Sequence, residues 1–234
     1  MHHFRAPDAR RFISASLMIG IAFVIFGASF GVLSVSAGAS VAQSCAMSLL
    51  VFTGASQMSA VSVIASGGTV ASAFGGAVLL SGRNAVYGLA MSPVLKQGSL
   101  ASRLLGAQWV IDETTAIVSA ETDPATRRTA FWISGAILYA SWNIGTLLGA
   151  LVGSSINPSD FGLDAAFPVM FTAMIAPHLR TSTGRKAALF GAVAAVALAP
   201  FMPIGLPILV SALGMLFGLS PTSDESTAKT DGAP

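Results

Sequence analysis

The chain has 234 residues, of which 53% are hydrophobic and only 9% charged, with a formal net charge of +2. A typical soluble domain carries about 25% charged residues, so this composition, with a mean hydropathy of +0.75, excludes a soluble globule. It assigns an all-α, polytopic helical membrane bundle. The basic residues gather at segment ends rather than in a stripe, which reads as a topology signal and not as nucleic-acid binding.

A spanning helix needs about 20 mostly apolar residues. That ruler predicts seven or eight transmembrane helices near 12–35, 40–65, 69–93, 101–121, 129–153, 164–179, 187–200 and 203–219, the last two split by Pro200, Pro203 and Pro207. Residues 1–11 form an N-terminal segment, 12–219 the transport-type membrane domain, and 220–234 a polar, disordered tail. The first apolar run follows Arg5, Arg10 and Arg11, and Ser36-Ala37-Gly38-Ala39 has the look of a cleavage site. A secretory signal core has only about 7–15 apolar residues, so the longer run at 12–35 is expected to stay as a first transmembrane helix.

With a cytoplasmic N-terminus, an eight-helix arrangement puts Arg5, Arg10, Arg11, Arg127, Arg128, Arg180, Arg185 and Lys186 inside. Lys96, Arg103, Asp160 and Asp164 then fall outside, and the positive-inside rule favours that orientation. An inner membrane is the expected location. An internal repeat is also expected: Gly31-Val32-Leu33 followed by LLVFTGAS (49–56) is echoed by Gly149-Ala150-Leu151 followed by PVMFTAMI (168–175). Repeats and broken helices are common in secondary transporters.

Taken along the chain, the second segment carries FTGASQ (52–57). Gly54 among small hydroxylated residues, with Gln57 mid-segment, suggests a broken turn. Freed backbone groups at membrane depth need protein or a wet cavity, which makes Gly54, Ser56 and Gln57 substrate-cavity candidates; ordinary small-residue packing is the plainer alternative. In the third segment Arg83 and Tyr87 are four apart and share a helix face. A guanidinium is a planar fork suited to a carboxylate, so Arg83 is a candidate anchor for a zwitterion. Its alternative is a structural ion pair with Asp112 or Glu113.

The fourth segment holds those acids in QWVIDETTAI (108–117). Read as one helix, Gln108, Asp112 and Thr115 share a face, with Trp109, Glu113 and Ile117 about 100° around it. Two adjacent carboxylates in low dielectric repel, so one of them is expected to keep its proton. That suits proton coupling, or contact with a substrate ammonium. Charges deep in hydrocarbon cost roughly 2.5–3.5 kcal/mol on insertion scales and survive mainly beside a partner or a wet cavity.

In the fifth segment Gly145, Gly149 and Gly153 recur every four residues, matched by Gly27 and Gly31 in the first; these read as close helix contacts. Tyr139 and Asn143 share a face beside Trp142 and are cavity candidates. Asp164 near Pro168 suits a helix start. Cys45 stands alone, so no disulfide or thiolate metal site forms within the chain. His2, His3 and His178 make no metal or nucleophile motif, and there is no phosphate-binding glycine loop. No cofactor and no catalytic residue are predicted, and the chain does not read as an enzyme.

FTGASQ (52–57), RNAVYGLAMSP (83–93), DE (112–113), WNIGTLLGALVGS (142–154) and FGLDAAFPVMF (161–171) occur in this order, and together they resemble the AzlC family, the large subunit of branched-chain amino acid exporters. The resemblance covers roughly 12–220. It implies export of leucine, isoleucine or valine, with methionine as a further candidate, a small hydrophobic AzlD-like membrane subunit as partner and a small zwitterionic amino acid as substrate. The chain departs from the family pattern at Ser81, where asparagine is often found, and at Asn84, where histidine is common. A proton role borrowed from that histidine cannot apply here. A non-transporting scaffold, with purely structural buried charges, is the competing reading.

Overall fold

Helix starts in this chain are set by capping residues, and the pattern of caps already separates long helices from short ones. The computed structural model describes residues 6–96, 98–155, 172, 175–176, 178–202, 206–211, 213, 214 and 216. Every regular element among them is helical. Two compact units divide the chain, Met1–Met170 and Phe171–Pro234.

Among the described residues, the first unit has three long helices: α1 (Ala6–Ser36), α4 (Val70–Leu95) and α7 (Pro124–Gly153). Between them lie two pairs of short ones: α2 (Val41–Leu50) with α3 (Ala55–Ala65), and α5 (Leu100–Gln108) with α6 (Asp112–Ser119). Ser40, Thr69, Ser99 and Asp123 cap α2, α4, α5 and α7 by accepting a bond from the amide three residues on, which satisfies one orphan donor in each first turn. Pro124 opens α7 where its missing N–H costs nothing. At 1.5 Å per residue the long helices run about 40–45 Å and the short ones about 12–16 Å. Helices Ala9–Ser36 and Pro124–Gly153 are long and apolar enough to cross a membrane.

α1 and α7 form the tightest contact, and they run parallel. Gly145 packs on Val24, Gly149 on Ala28 and Gly153 on Val32, so the residue numbers rise together. From the other side Gly27 meets Trp142 and Gly31 meets Thr146. A Cβ at Gly145 or Gly149 would run into the Val24 or Ala28 carbonyl. Glycine is needed here for close backbone approach, as the four-residue spacing predicts.

α4 runs the opposite way. Its start lies beside α3, with Gly76 near the Ser59 hydroxyl. Its end lies beside the start of α7, where Arg128 Nη1 donates to the Val94 carbonyl at 3.3 Å. Met91 and Val94 share one buried cluster with Phe12, Val118, Ala130 and Phe131.

This fixes the course of the short pairs. α2 starts where α1 ends, with Ser44 Oγ donating to Ser34 Oγ at 2.8 Å, and descends until Ser48 meets Asn143 in the middle third of α7. α3 then turns back, so that Ile64 and Val70 border the same cavity as Ser34 and Ala37. α5 starts where α4 ends and brings Trp109 against Gly135. α6 returns to that same end, where Glu121, just past it, pairs with Arg11 near the start of α1 at 2.7 Å. The two pairs are hairpins entering from opposite ends, and their tips meet halfway.

The runs 40–65 and 101–121 are each two short helices rather than one continuous helix; each arm has 8–11 residues, about half of the length that a crossing needs. The runs 12–35, 69–93 and 129–153 correspond to α1, α4 and α7. Lys96 and Arg103 therefore lie at the same end as Arg10, Arg11, Arg127 and Arg128, not opposite them. Gln108 and Asp112 no longer share a continuous helix face, because residues 109–111 break it.

A long helix followed by a Ser-capped hairpin thus occurs twice, in opposite directions, as α1–α3 and α4–α6. In the expected echo, the stretch PVMFTAMI (168–175) lies mostly outside the described residues, as do the run 164–179 over most of its length, Asp160, Asp164, Pro168 and the tail 220–234. In the second unit a 3-10 turn, His178–Arg180, precedes α8 (Ser182–Leu198), and a short α9 (Leu206–Ser211) packs on α8.

Candidate functional site

The first hairpin turns at 51–54. Gly54 there has φ +61, a left-handed conformation that glycine adopts without strain. Gln57 is fully buried and spends its amide on the turn. Its Nε2 donates to the Met47 carbonyl at 3.0 Å, and its Oε1 accepts from Gly54 N at 3.2 Å and Thr53 N at 3.4 Å. One side chain thus closes both sides of a break that would otherwise leave orphan backbone groups. The Thr53 and Ser56 hydroxyls bond to each other beside it.

The second hairpin turns at Trp109-Val110-Ile111. Ile111 is extended, and buried Thr114 takes over the capping: its Oγ1 accepts from Ile111 N at 3.1 Å and lies 2.8 Å from the Trp109 carbonyl. A threonine offering such bonds competes with helix continuation. Asp112 and Glu113 consequently open α6, at the positive end of a half-helix.

The tips are joined through one carbonyl. Leu49 O accepts from Gln108 Nε2 at 3.1 Å and from the Tyr139 hydroxyl at 2.8 Å. Asn143 holds the arm above: its Nδ2 donates to the Tyr139 carbonyl, and its Oδ1 accepts from Ser48 Oγ, both at 2.8 Å. Around the first tip, Phe23, Phe52, Tyr139 and Trp142 form an aromatic cluster with ring centroids 5.2–6.4 Å apart.

Arg83 sits at the middle of α4 and reaches across to the second tip. Its Nη1 is 2.6 Å from Asp112 Oδ2, and the two side chains keep about a third of their surface exposed (33% and 36%). Glu113 makes no ion pair among the described residues; its carboxyl lies within electrostatic range of Arg83 and Asp112. Tyr87 lies in range of all three charges and packs against the Phe12–Phe131 cluster.

A cavity of about 790 Å³ runs from the end where α1 stops down to mid-depth. Its wall is mostly apolar, with Met47 and Phe74 among others, and its polar groups include Gln43, Ser56 and Ser81. Ser56 and Gln57 line it. Gly54, Arg83, Tyr87, Asp112, Glu113 and Asn143 are not among its described lining residues, although Ser81 and Gly82, which do line it, immediately precede Arg83. The candidate residues thus fall into two features, an apolar cavity with Ser56 and Gln57 in its wall and the Arg83–Asp112 pair. At the opposite end Phe12, Met91, Val94, Val118 and Phe131 pack as one buried cluster, and Arg11 pairs with Glu121. No group of three His, Cys, Asp or Glu side chains is placed to hold a metal among the described residues.

Gln108 and Thr114 had no expected role as tip residues. Their signal in the sequence is thin: a glutamine directly before an uninterrupted apolar triplet and a threonine three residues after it.

The family described as AzlC protein matches residues 18–156. Uncharacterized membrane proteins from two strains of Helicobacter pylori are each 26% identical, over 210 and 206 residues, covering 86% and 85% of this chain and 90% of each relative. The inner membrane protein YgaZ of Escherichia coli (strain K12) is 28% identical over 206 residues, covering 82% of this chain and 84% of that protein. No solved structure matches.

Proposed function

The chain belongs to the AzlC family, and from that premise we propose that it is a secondary carrier subunit exporting branched-chain aliphatic amino acids across the inner membrane. The observation that carries the reading is the Arg83–Asp112 pair, about one-third exposed at mid-depth beside an apolar cavity. Opposite charges at that separation complement a zwitterion. Its carboxylate exchanges for Asp112 on the Arg83 fork, its ammonium takes Asp112 or Glu113, and its aliphatic side chain takes the apolar wall. Glu113, without an ion-pair partner among the described residues, is the proton-coupling candidate.

In the bilayer α1, α4 and α7 cross and the two hairpins are re-entrant. Arg10, Arg11, Lys96, Arg103, Arg127 and Arg128 share one end, whereas the connections at the other, 37–40 and 66–69, carry no charge. By the positive-inside rule the basic end, with the N-terminus, is cytoplasmic. Oppositely directed repeats with half-helix tips at mid-membrane are the usual architecture of carrier sites. The cavity then faces outward while the cytoplasmic end is closed, a state suited to release. A small AzlD-like subunit is proposed as partner.

The competing scaffold reading rests on the same pair, since Arg83 and Asp112 satisfy one another. The test is efflux of preloaded leucine, isoleucine and valine from cells expressing the chain with its partner. Arg83→Ala at matched protein level is expected to abolish efflux; undiminished efflux would refute the assignment of Arg83.

A further inference from the structure

At the basic end the start of α7 and the end of α4 enclose a cavity of about 80 Å³, lined by Pro93, Val94, Pro124, Arg127 and Arg128. Three walls are apolar and the other two are guanidinium side chains. Neither arginine makes an ion pair among the described residues. Arg128 makes a 3.3 Å bond to the Val94 carbonyl, which caps α4 and leaves most of its fork unused. Arg127 Nε is buried with no acceptor among the described residues. A buried donor of this kind costs free energy until an acceptor reaches it. Asp123, the carboxylate on the same turn, accepts from the Thr126 amide and hydroxyl, both at 2.8 Å.

Topology signalling explains why arginines stand here, but not why one is folded inward with an unmet donor. Simple cytoplasmic anchors extend into water, as exposed Arg10 does. We propose that this cavity binds a phosphate oxyanion, supplied by the headgroup of an anionic phospholipid in the cytoplasmic leaflet. The arginine forks bind two phosphate oxygens, the geometry that distinguishes arginine from lysine at such sites. Pro93, Val94 and Pro124 pack against the glycerol region. Basic pockets between transmembrane helices on the cytoplasmic side recognise such headgroups. Because Val94 lies in the last turn of α4 and Arg127 in the first turn of α7, the lipid clamps the helix that carries Arg83 to the α1–α7 pair.

The test uses the intact purified protein in neutral detergent, titrated separately with cardiolipin, phosphatidylglycerol, phosphatidylcholine and inorganic phosphate, and read by thermal stability and native mass spectrometry. Cardiolipin and phosphatidylglycerol are expected to bind and raise Tm, and phosphatidylcholine not. Arg127→Gln raises the half-saturating lipid concentration roughly tenfold or more, as loss of a charge-assisted bond does. Arg127→Lys recovers only part of it. Arg10→Gln, at the same end, costs about fivefold or less, the value of one diffuse surface charge. Should inorganic phosphate alone match the lipids, the oxyanion site stands and its source is free phosphate. Equal losses for Arg127→Gln and Arg10→Gln, or lipid stabilisation undiminished in Arg127→Gln, would overturn the proposal. Neither readout depends on transport.

Discussion

Gln108, on the last turn of α5, donates to the backbone carbonyl of Leu49, on the last turn of α2, at 3.1 Å, and Tyr139 of α7 donates to the same oxygen at 2.8 Å. Two hairpins entering from opposite ends are thereby fastened to each other and to a long helix through a single acceptor. The Leu49 carbonyl is one of the orphan groups that the break in the first hairpin creates, so the fastening and the break are physically one feature.

Because either donor alone keeps that carbonyl satisfied, Gln108→Leu and Tyr139→Phe are each expected to cost only about 1 kcal/mol. The double variant leaves the oxygen bare and should cost more than the sum, by at least about 1 kcal/mol. Reversible unfolding of the four proteins in mixed micelles measures the coupling. Additive losses would mean that the two bonds act independently and that Leu49 is not their shared anchor.

Glycine requirements differ sharply along the chain. Gly149→Ala places a methyl on the Ala28 backbone and is expected to destabilise by about 3 kcal/mol, with α1 and α7 forced apart. Gly82→Ala meets nothing within 4 Å and should be neutral or stabilising by up to about 1 kcal/mol through helix propensity alone. Yields and melting temperatures of the two variants separate these outcomes, and equal effects would contradict the α1–α7 packing.

The course of the hairpins is open to a labelling test. With Cys45 replaced by serine, single cysteines at Ser66, Lys96 and Arg103 report sidedness to an impermeant maleimide. Ser66→Cys is expected to react from outside, and Lys96→Cys and Arg103→Cys only after the membrane is permeabilised. Crossing helices at 40–65 and 101–121 would give the reverse pattern at all three positions.

That reversal shows what hydropathy reads and what it misses. The long helices were legible because continuous apolar runs and four-residue glycine spacing are strong signals. The turn at Gly54 was legible too, since a glycine among hydroxylated residues marks a break. The turn at Trp109–Ile111 was not, for it contains no glycine or proline and is held by Thr114, whose capping only the folded chain reveals. A run of about 25 apolar residues has the same composition whether it continues or doubles back, so the sequence alone does not reveal that Lys96 and Arg103 lie at the same end as Arg127 and Arg128. The Arg83–Asp112 pair was among the alternatives read from the sequence, whereas the cavity's separation from it depends on how α3 packs on α4, which no local pattern encodes.

The most direct test of the carrier reading is counterflow of labelled leucine in liposomes containing the chain and its small partner. It compares wild type, Arg83→Ala, and the exchanged pair Arg83→Asp with Asp112→Arg, all shown to be folded. A substrate site has a fixed polarity set by its surroundings, so both variants are predicted to lose counterflow. If the exchanged pair restores wild-type counterflow while Arg83→Ala abolishes it, the charges only lock α4 to the second hairpin, and the proposed site is contradicted.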